Sequence, residues 1–323
     1  MRRFTYVNAA NEREVIAALG GDRNRVVPIA GGVDLLSLMK DFVLSPDRLV
    51  NVKALDATIA AGDGGLRIGA AARLADLADH TTIRRLYPAL ASLADEIGTP
   101  QIRNQSTVGG NLMQRPRCWY FRNEEFLCLK KGGSRCHAVE GENTYHAIFG
   151  DGPCHMVHPS DLAVAVVAYA GRIRLVGPGG PREVDASEFF QLPNVNLYGE
   201  TALQPNEIVT HVLLPAPPTR SAAYAVRVRQ SHDWPLASAA VSLAMDSDTV
   251  LSARIVIGSV APVPWRAPAA ERLLVGKLVS EATAADAALT AVAGAKALSG
   301  NAYKIQIAKT AVRRAILKAA GYS

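Results

Sequence analysis

Cysteine is missing from most of this 323-residue chain: the four present, Cys118, Cys128, Cys136 and Cys154, crowd into one stretch, and none stands elsewhere. No segment reaches the roughly 18 uncharged apolar residues of a membrane helix, so no membrane insertion is expected. The start, Met1-Arg2-Arg3-Phe4-Thr5-Tyr6, also lacks the long apolar core of a secretory signal. There is no dense basic run; 35 Lys and Arg stand against 29 Asp and Glu, and the excess is spread along the sequence. Nucleic acid is therefore not an expected partner, whereas an anionic cofactor or an acidic protein suits this balance. The spaced glycine fingerprint of a Rossmann site and the glycine-lysine P-loop are both absent. So is any nucleophile, base and orienting acid at an informative spacing, which argues against self-contained acid-base catalysis.

With 49% hydrophobic residues the chain has enough apolar material for two to three subdomains. Thr5-Tyr6-Val7, a helix over Asn11 to Leu19 and the strand Val26-Val27-Pro28-Ile29 read as a small α/β unit. Asp34 to Lys40 reads as a helix, acidic in its first turn and basic in its last, as the helix dipole favours. A second unit is expected from Leu49-Val50-Asn51-Val52, with a strand at 66–69 and helical segments at 74–77 and 87–97. Between Gln114 and Pro159 periodicity disappears, and a structureless loop of that length needs a reason. An apolar run follows over Asp161 to Ala170, then strands near 173–176 and 208–214. Pro215, Pro217 and Pro218 mark a boundary. Beyond it, strands at 223–228, 237–244 and 253–258 and Ala-rich helices at 282–297 and 305–318 make a separate domain.

Two glycine pairs stand where strands end or turns begin, in Ala30-Gly31-Gly32-Val33-Asp34 and Thr107-Val108-Gly109-Gly110-Asn111. Lacking side chains, such positions let backbone amides approach an anion such as a pyrophosphate, although a lone Gly-Gly is more often a tight turn. The cysteines are separated by nine, seven and seventeen residues. That spacing matches neither zinc knuckles nor the bacterial ferredoxin run. A four-thiolate iron-sulfur cluster, a structural zinc and two disulfides all remain open. Arg117, Lys130, Lys131 and Arg135 would favour thiolates in any metal centre. His137, His146, His155 and His158 lie in the same stretch but are left out of the metal site, since four cysteines already complete a tetrahedral shell. Trp119, Tyr120 and Phe121 read as anchors of the loop, and Asp161 as a helix-capping acid or a cofactor contact.

Pro28-Ile29-Ala30-Gly31-Gly32-Val33-Asp34-Leu35-Leu36 resembles the first FAD-binding loop of the flavoprotein subunits of the xanthine dehydrogenase and carbon monoxide dehydrogenase family, and Thr107-Val108-Gly109-Gly110-Asn111-Leu112 resembles the second. The likeness extends to Pro159-Ser160-Asp161-Leu162, to Thr201 through Ile208 and to the Ala-rich end of the chain. It implies an α+β fold: a two-subdomain PCMH-type FAD-binding domain over 1–217 (subdomains about 1–55 and 56–217, with a cysteine-rich loop at 114–158), then a CO dehydrogenase flavoprotein C-terminal-like α+β domain over 221–323. Gln114-Arg115-Pro116-Arg117-Cys118-Trp119-Tyr120-Phe121 and the later cysteines resemble the subgroup whose flavin subunit also carries a 4Fe-4S cluster, nearest to the periplasmic aldehyde oxidoreductases.

The resemblance implies FAD held by Val27, Pro28, Ile29, Ala30, Gly31, Gly32, Val33, Asp34, Leu35, Thr107, Gly110 and Asn111, with Asp161 and Arg227 near the flavin. It implies cluster ligands at Cys118, Cys128, Cys136 and Cys154. Val33 departs from relatives, which place Thr or Ser there, so one hydroxyl contact to phosphate is lost while the amides remain. The implied role is electron transfer. A molybdenum-cofactor large subunit oxidises the substrate, a small subunit with 2Fe-2S clusters relays electrons, and this chain passes them to an external acceptor. The compartment stays open between cytoplasm and periplasm, the latter by export on a partner's signal. Two other classes compete: a stand-alone flavoenzyme, which needs a substrate base, and a zinc-stapled binding module, which would be colourless.

Overall fold

A computed structural model describes residues 1–322 apart from Asp63, Gln230 and Ser231; Ser323, the last residue of the expected second domain, lies outside the described residues. Three strands open the chain, β1 (Thr5–Asn8), β2 (Val26–Ile29) and β3 (Arg48–Asn51), and form a parallel sheet in the order β1-β3-β2. Central β3 buries both Leu49 and Val50, as a strand covered on two faces does. The expectation that a second unit begins at Leu49 is therefore corrected, because this segment completes the first. Pro28, which has no amide hydrogen to give, sits in β2 at the sheet edge, where proline is tolerated.

The second unit is a five-stranded antiparallel sheet of β4 (Ile59–Gly62), β5 (Gly65–Gly69), β6 (Arg172–Gly177), β7 (Gly180–Asp185) and β8 (Ile208–Leu214), ordered β4-β5-β8-β6-β7. Leu66, Ile68, Ile173, Leu175 and Val212 pack from it against the helices Pro88–Asp95 and Asp161–Ala168. The latter helix is buried at every residue, so its sequence shows no amphipathic period. Its N-cap is Ser160, whose hydroxyl accepts from the Ala163 amide; Asp161 is the first helical residue and not the cap.

Beyond the prolines, β9 (Arg220–Val226), β10 (Ala237–Asp246), β11 (Thr249–Gly258) and β12 (Trp265–Arg266) form an antiparallel sheet covered by the helices Pro268–Leu274, Glu281–Ala291 and Tyr303–Ala320. The second of these stops at Ala291, short of the expected 297. The chain beyond it turns to the cysteine-rich stretch, where the Lys296 amide donates to the Ile148 carbonyl at 2.7 Å.

The stretch 114–158 contains only the helical turn Trp119–Arg122 and a 3-10 turn at Leu129–Lys131. Side chains supply the order that regular structure does not. Buried Lys130 donates to the carbonyls of Leu197 and Gly199 and pairs with Glu200 at 2.9 Å. From the C-terminal domain, Asn301 donates to the carbonyls of His146 and Ala147, and Lys304, 1% exposed, to those of Tyr145, His146 and Ser259. A backbone without a ladder is satisfied this way. Phe121 packs beside Leu38 and Cys128, anchoring the loop to the first unit. Among the described residues no helix is long and apolar enough to cross a membrane.

Candidate functional site

A cleft of about 1230 Å³ opens between the two N-terminal units and the edge of the C-terminal domain, larger than the roughly 300 to 1,000 Å³ of most small-molecule sites. Every residue from Val27 to Leu35 lines it, as do Thr107, Gly110, Asn111 and Asp161. Gly31 is fixed by packing: a Cβ there would lie 1.8 Å from the Gln105 carbonyl oxygen, so only glycine lets the two loops approach each other. Gly32 has φ +72°, a left-handed conformation that favours glycine.

The two loops differ in their free donors. Among the described residues, no protein acceptor takes the amide hydrogens of Gly31, Gly32, Val33 or Asp34. Successive unpaired amides facing a cleft fit a phosphate group. In the second loop the amides of Val108, Gly109 and Asn111 donate to the carbonyls of Ala72, Ala70 and Thr107, and that of Gly110 to the Thr107 hydroxyl. What the second loop can offer is side-chain hydrogen: the Thr107 hydroxyl, an acceptor toward Gly110, can still donate. Asn111 uses its oxygen for the Ser160 hydroxyl at 2.7 Å and keeps its amide hydrogens.

Asp34 stands at the N-cap of the helix Leu35–Lys40 but makes no capping bond. Its carboxylate instead accepts from the Arg115 amide at 2.8 Å and from the guanidinium groups of Arg117 at 2.7 Å and Arg122 at 2.6 Å. The side chain thus bolts the first glycine loop to the segment leading into Cys118, while its backbone faces the cleft. Asp161 is buried, and burial raises its carboxyl to about 6 against the opposing pull of Arg227. Arg227 itself does not line the cleft. Its guanidinium pairs with Glu96 and donates to the Asp233 carbonyl. The far wall, from Asn196 through Val209, and His232, Asp233 and Trp234 escaped the reading from sequence. The only hint was the resemblance around Thr201 to Ile208. Trp234 stacks under Arg117 at 4.9 Å.

All four cysteines are free, and all four line a second, small cavity together with Tyr120, Lys130, His137 and His146. Burial pushes the Cys118 thiol up to about 11. Cys136 and Cys154 lie close enough to hydrogen-bond, which lowers the Cys136 thiol and raises that of Cys154. His146 places Nε2 at 3.2 Å from the Cys118 sulfur. Burial, with help from Lys304, lowers the His146 imidazole to about 4 and keeps it neutral. Among the described residues no three His, Cys, Asp or Glu side chains converge on a single-ion position.

Residues 2–217 match the FAD binding domain in molybdopterin dehydrogenase, and residues 222–319 the CO dehydrogenase flavoprotein C-terminal domain. The chain is 38% identical over 284 residues to the aldehyde oxidoreductase FAD-binding subunit PaoB of Escherichia coli (strain K12), covering 85% of this chain and 86% of that protein. It is 29% identical to the carbon monoxide dehydrogenase medium chain of Hydrogenophaga pseudoflava, over 97% and 96% of the two chains. The solved structure of carbon monoxide dehydrogenase from Hydrogenophaga pseudoflava, lacking the Mo-pyranopterin moiety of the molybdenum cofactor, superposes with a TM-score of 0.77 at 28% identity, covering 99% and 97%. The chain belongs to the FAD-binding medium subunits of the xanthine dehydrogenase and carbon monoxide dehydrogenase family, the flavoprotein subunits of molybdenum hydroxylases in which catalysis lies on a partner subunit.

Proposed function

We propose that this chain holds FAD in the cleft and a 4Fe-4S cluster on Cys118, Cys128, Cys136 and Cys154. In this role it passes electrons from molybdenum and 2Fe-2S subunits to an external acceptor while an aldehyde is oxidised on the partner. The observation that carries the cluster is the meeting of four unpaired thiols, from four separate points in an irregular loop, on one cavity. A structural zinc would also take four thiolates, each about 2.3 Å from the ion, and the iron and sulfide content separates the two. A cluster spreads its ligands around a larger core. Buried Lys130 brings positive charge to the cavity wall, part of it taken up by Glu200.

For FAD, the free amides of Gly31 to Asp34 suit the pyrophosphate, and the Thr107 hydroxyl and Asn111 amide supply further donors. Asp161, on the cleft wall at the start of a buried helix, lies where it can meet a polar edge of the flavin. Bound flavin supplies the chemistry of taking electrons one or two at a time. The protein orients it, excludes water and sets the local charge. The likeness to an aldehyde oxidoreductase subunit supports the substrate class.

The visible spectrum of anaerobically purified protein, with iron and acid-labile sulfide assayed on the same sample, tests both cofactors. Flavin bands with a broad shoulder near 400 nm and about four irons per chain are expected. Flavin without iron would return the cysteines to zinc or disulfides, and a colourless zinc protein would overturn electron transfer altogether.

A further inference from the structure

The imidazole of His146 is the one histidine ring whose nitrogen reaches a cysteine sulfur among the described contacts, with Nε2 at 3.2 Å from Cys118 Sγ. Its place is over-determined. Its amide donates to the Asn143 carbonyl at 2.9 Å, and its carbonyl accepts from Asn301 at 3.0 Å and from Lys304 at 3.1 Å. Trp119 meets the ring edge to face, centroids 5.4 Å apart.

The tautomer follows from what surrounds the two nitrogens. Nδ1 is buried and has no partner. A proton on Nδ1 would be a buried donor with nothing to receive it, and would leave the Nε2 lone pair facing sulfur. A cysteine that ligates iron has no proton to give, so the two would repel. A proton on Nε2 resolves both conflicts, since it points at the sulfur and leaves only an acceptor unpaired.

We propose that His146 donates its Nε2 hydrogen to the Cys118 sulfur and thereby raises the reduction potential of the iron-sulfur centre, acting as a positioning and tuning residue and not as a ligand. The inference rests on the cysteine cavity being a cluster site, as proposed above. Adding one electron to a cluster increases the negative charge on its sulfurs, so a donor aimed at one of them stabilises the reduced form more than the oxidised form. Hydrogen bonds to cluster sulfurs shift potentials in this sense. No bond to iron is made or broken. The centre would supply one-electron storage, and His146 would keep its proton on Nε2 in both oxidation states.

The test is an EPR-monitored redox titration of the full-length protein and of His146→Leu and His146→Gln, with iron and sulfide counted first. The inference expects about four irons per chain in all three, a lower midpoint in His146→Leu and a partial return in His146→Gln, whose amide can still donate. It also expects an exchangeable proton coupled to the reduced cluster in the wild type, seen by electron-nuclear double resonance after transfer to heavy water and lost in His146→Leu. The amides of Tyr120 and Phe121 also donate to Cys118, so the proton is assigned by its loss in His146→Leu and, should that variant fail to fold, by a coupled imidazole nitrogen in wild-type protein labelled with 15N-histidine. An unchanged midpoint, or no exchangeable coupled proton in the wild type, overturns the hydrogen bond. Iron lost specifically from His146→Leu makes His146 a ligand and overturns the tuning role. Absence of iron from the wild type overturns the cluster reading itself, and the inference with it.

Discussion

The flavin cleft and the cysteine cavity lie side by side but are built by opposite means. The cleft is made by the ends of regular elements, and its main donors are the backbone amides of the first glycine turn, which packs at Gly31 against the Gln105 carbonyl before the second loop. The cysteine loop has almost no regular structure and is held by long side chains that arrive from elsewhere, Lys130 on one side and Asn301 and Lys304 on the other. Backbone-built sites tolerate side-chain change and fail on added volume. Side-chain-built sites tolerate volume and fail when one long residue is shortened.

Gly31→Ala should separate the two most strongly. The methyl would overlap a backbone oxygen that cannot rotate away, so a loss of about 3 kcal/mol or more is expected in urea unfolding, with the flavin-to-protein ratio falling. Iron retained at the wild-type level would show that the cysteine loop does not depend on the glycine contact.

Asp161 gives a pH signature belonging to the cleft alone. Its carboxyl is raised from 3.8 to about 6, so in the folded state it binds a proton more readily than in the unfolded state. The stability this brings is full below about pH 4 and is lost as pH rises through 6. In flavin-free protein, Asp161→Asn should therefore be more stable than wild type at pH 7 by on the order of 3 kcal/mol, with the advantage gone near pH 4. Thermal melts across that range measure it, and a pH-independent difference would contradict the burial argument.

Lys304→Met attacks the other region. Three carbonyls lose their shared donor, at a cost of about 2 kcal/mol, and iron should become removable by a chelator while flavin content holds. If flavin left first, the loop would be shown to support the cleft through Asp34. Smallest is Thr107→Ala, which removes the cap of a one-turn helix for about 1 kcal/mol. Flavin affinity should drop with it and the iron count should not change.

The same contrast explains what could be read from sequence. Glycine pairs and a crowd of cysteines are local features, and both fall on the two cavities. The apolar run over Asp161 to Ala170 is legible, although its helix ends at Ala168 and its cap is Ser160. Partnerships across long separations were not legible. Asp34 reads as an ordinary first-turn acid, yet its partners stand more than eighty residues along the chain. Lys304 reads as one more cation on an Ala-rich helix, yet it is among the largest fully buried side chains. Trp234 and its neighbours reach the cleft only because the C-terminal sheet folds back against it, and no local pattern announces that.

The clamp formed by Asn301 and Lys304 also sets a timetable. Residues 143 to 148 are translated well before Asn301 and Lys304, so while the ribosome is still working through the C-terminal domain this part of the cysteine loop lacks two of its holders. A chain interrupted before residue 301 is therefore expected to alkylate faster at its thiols than the complete chain, measurable on nascent chains.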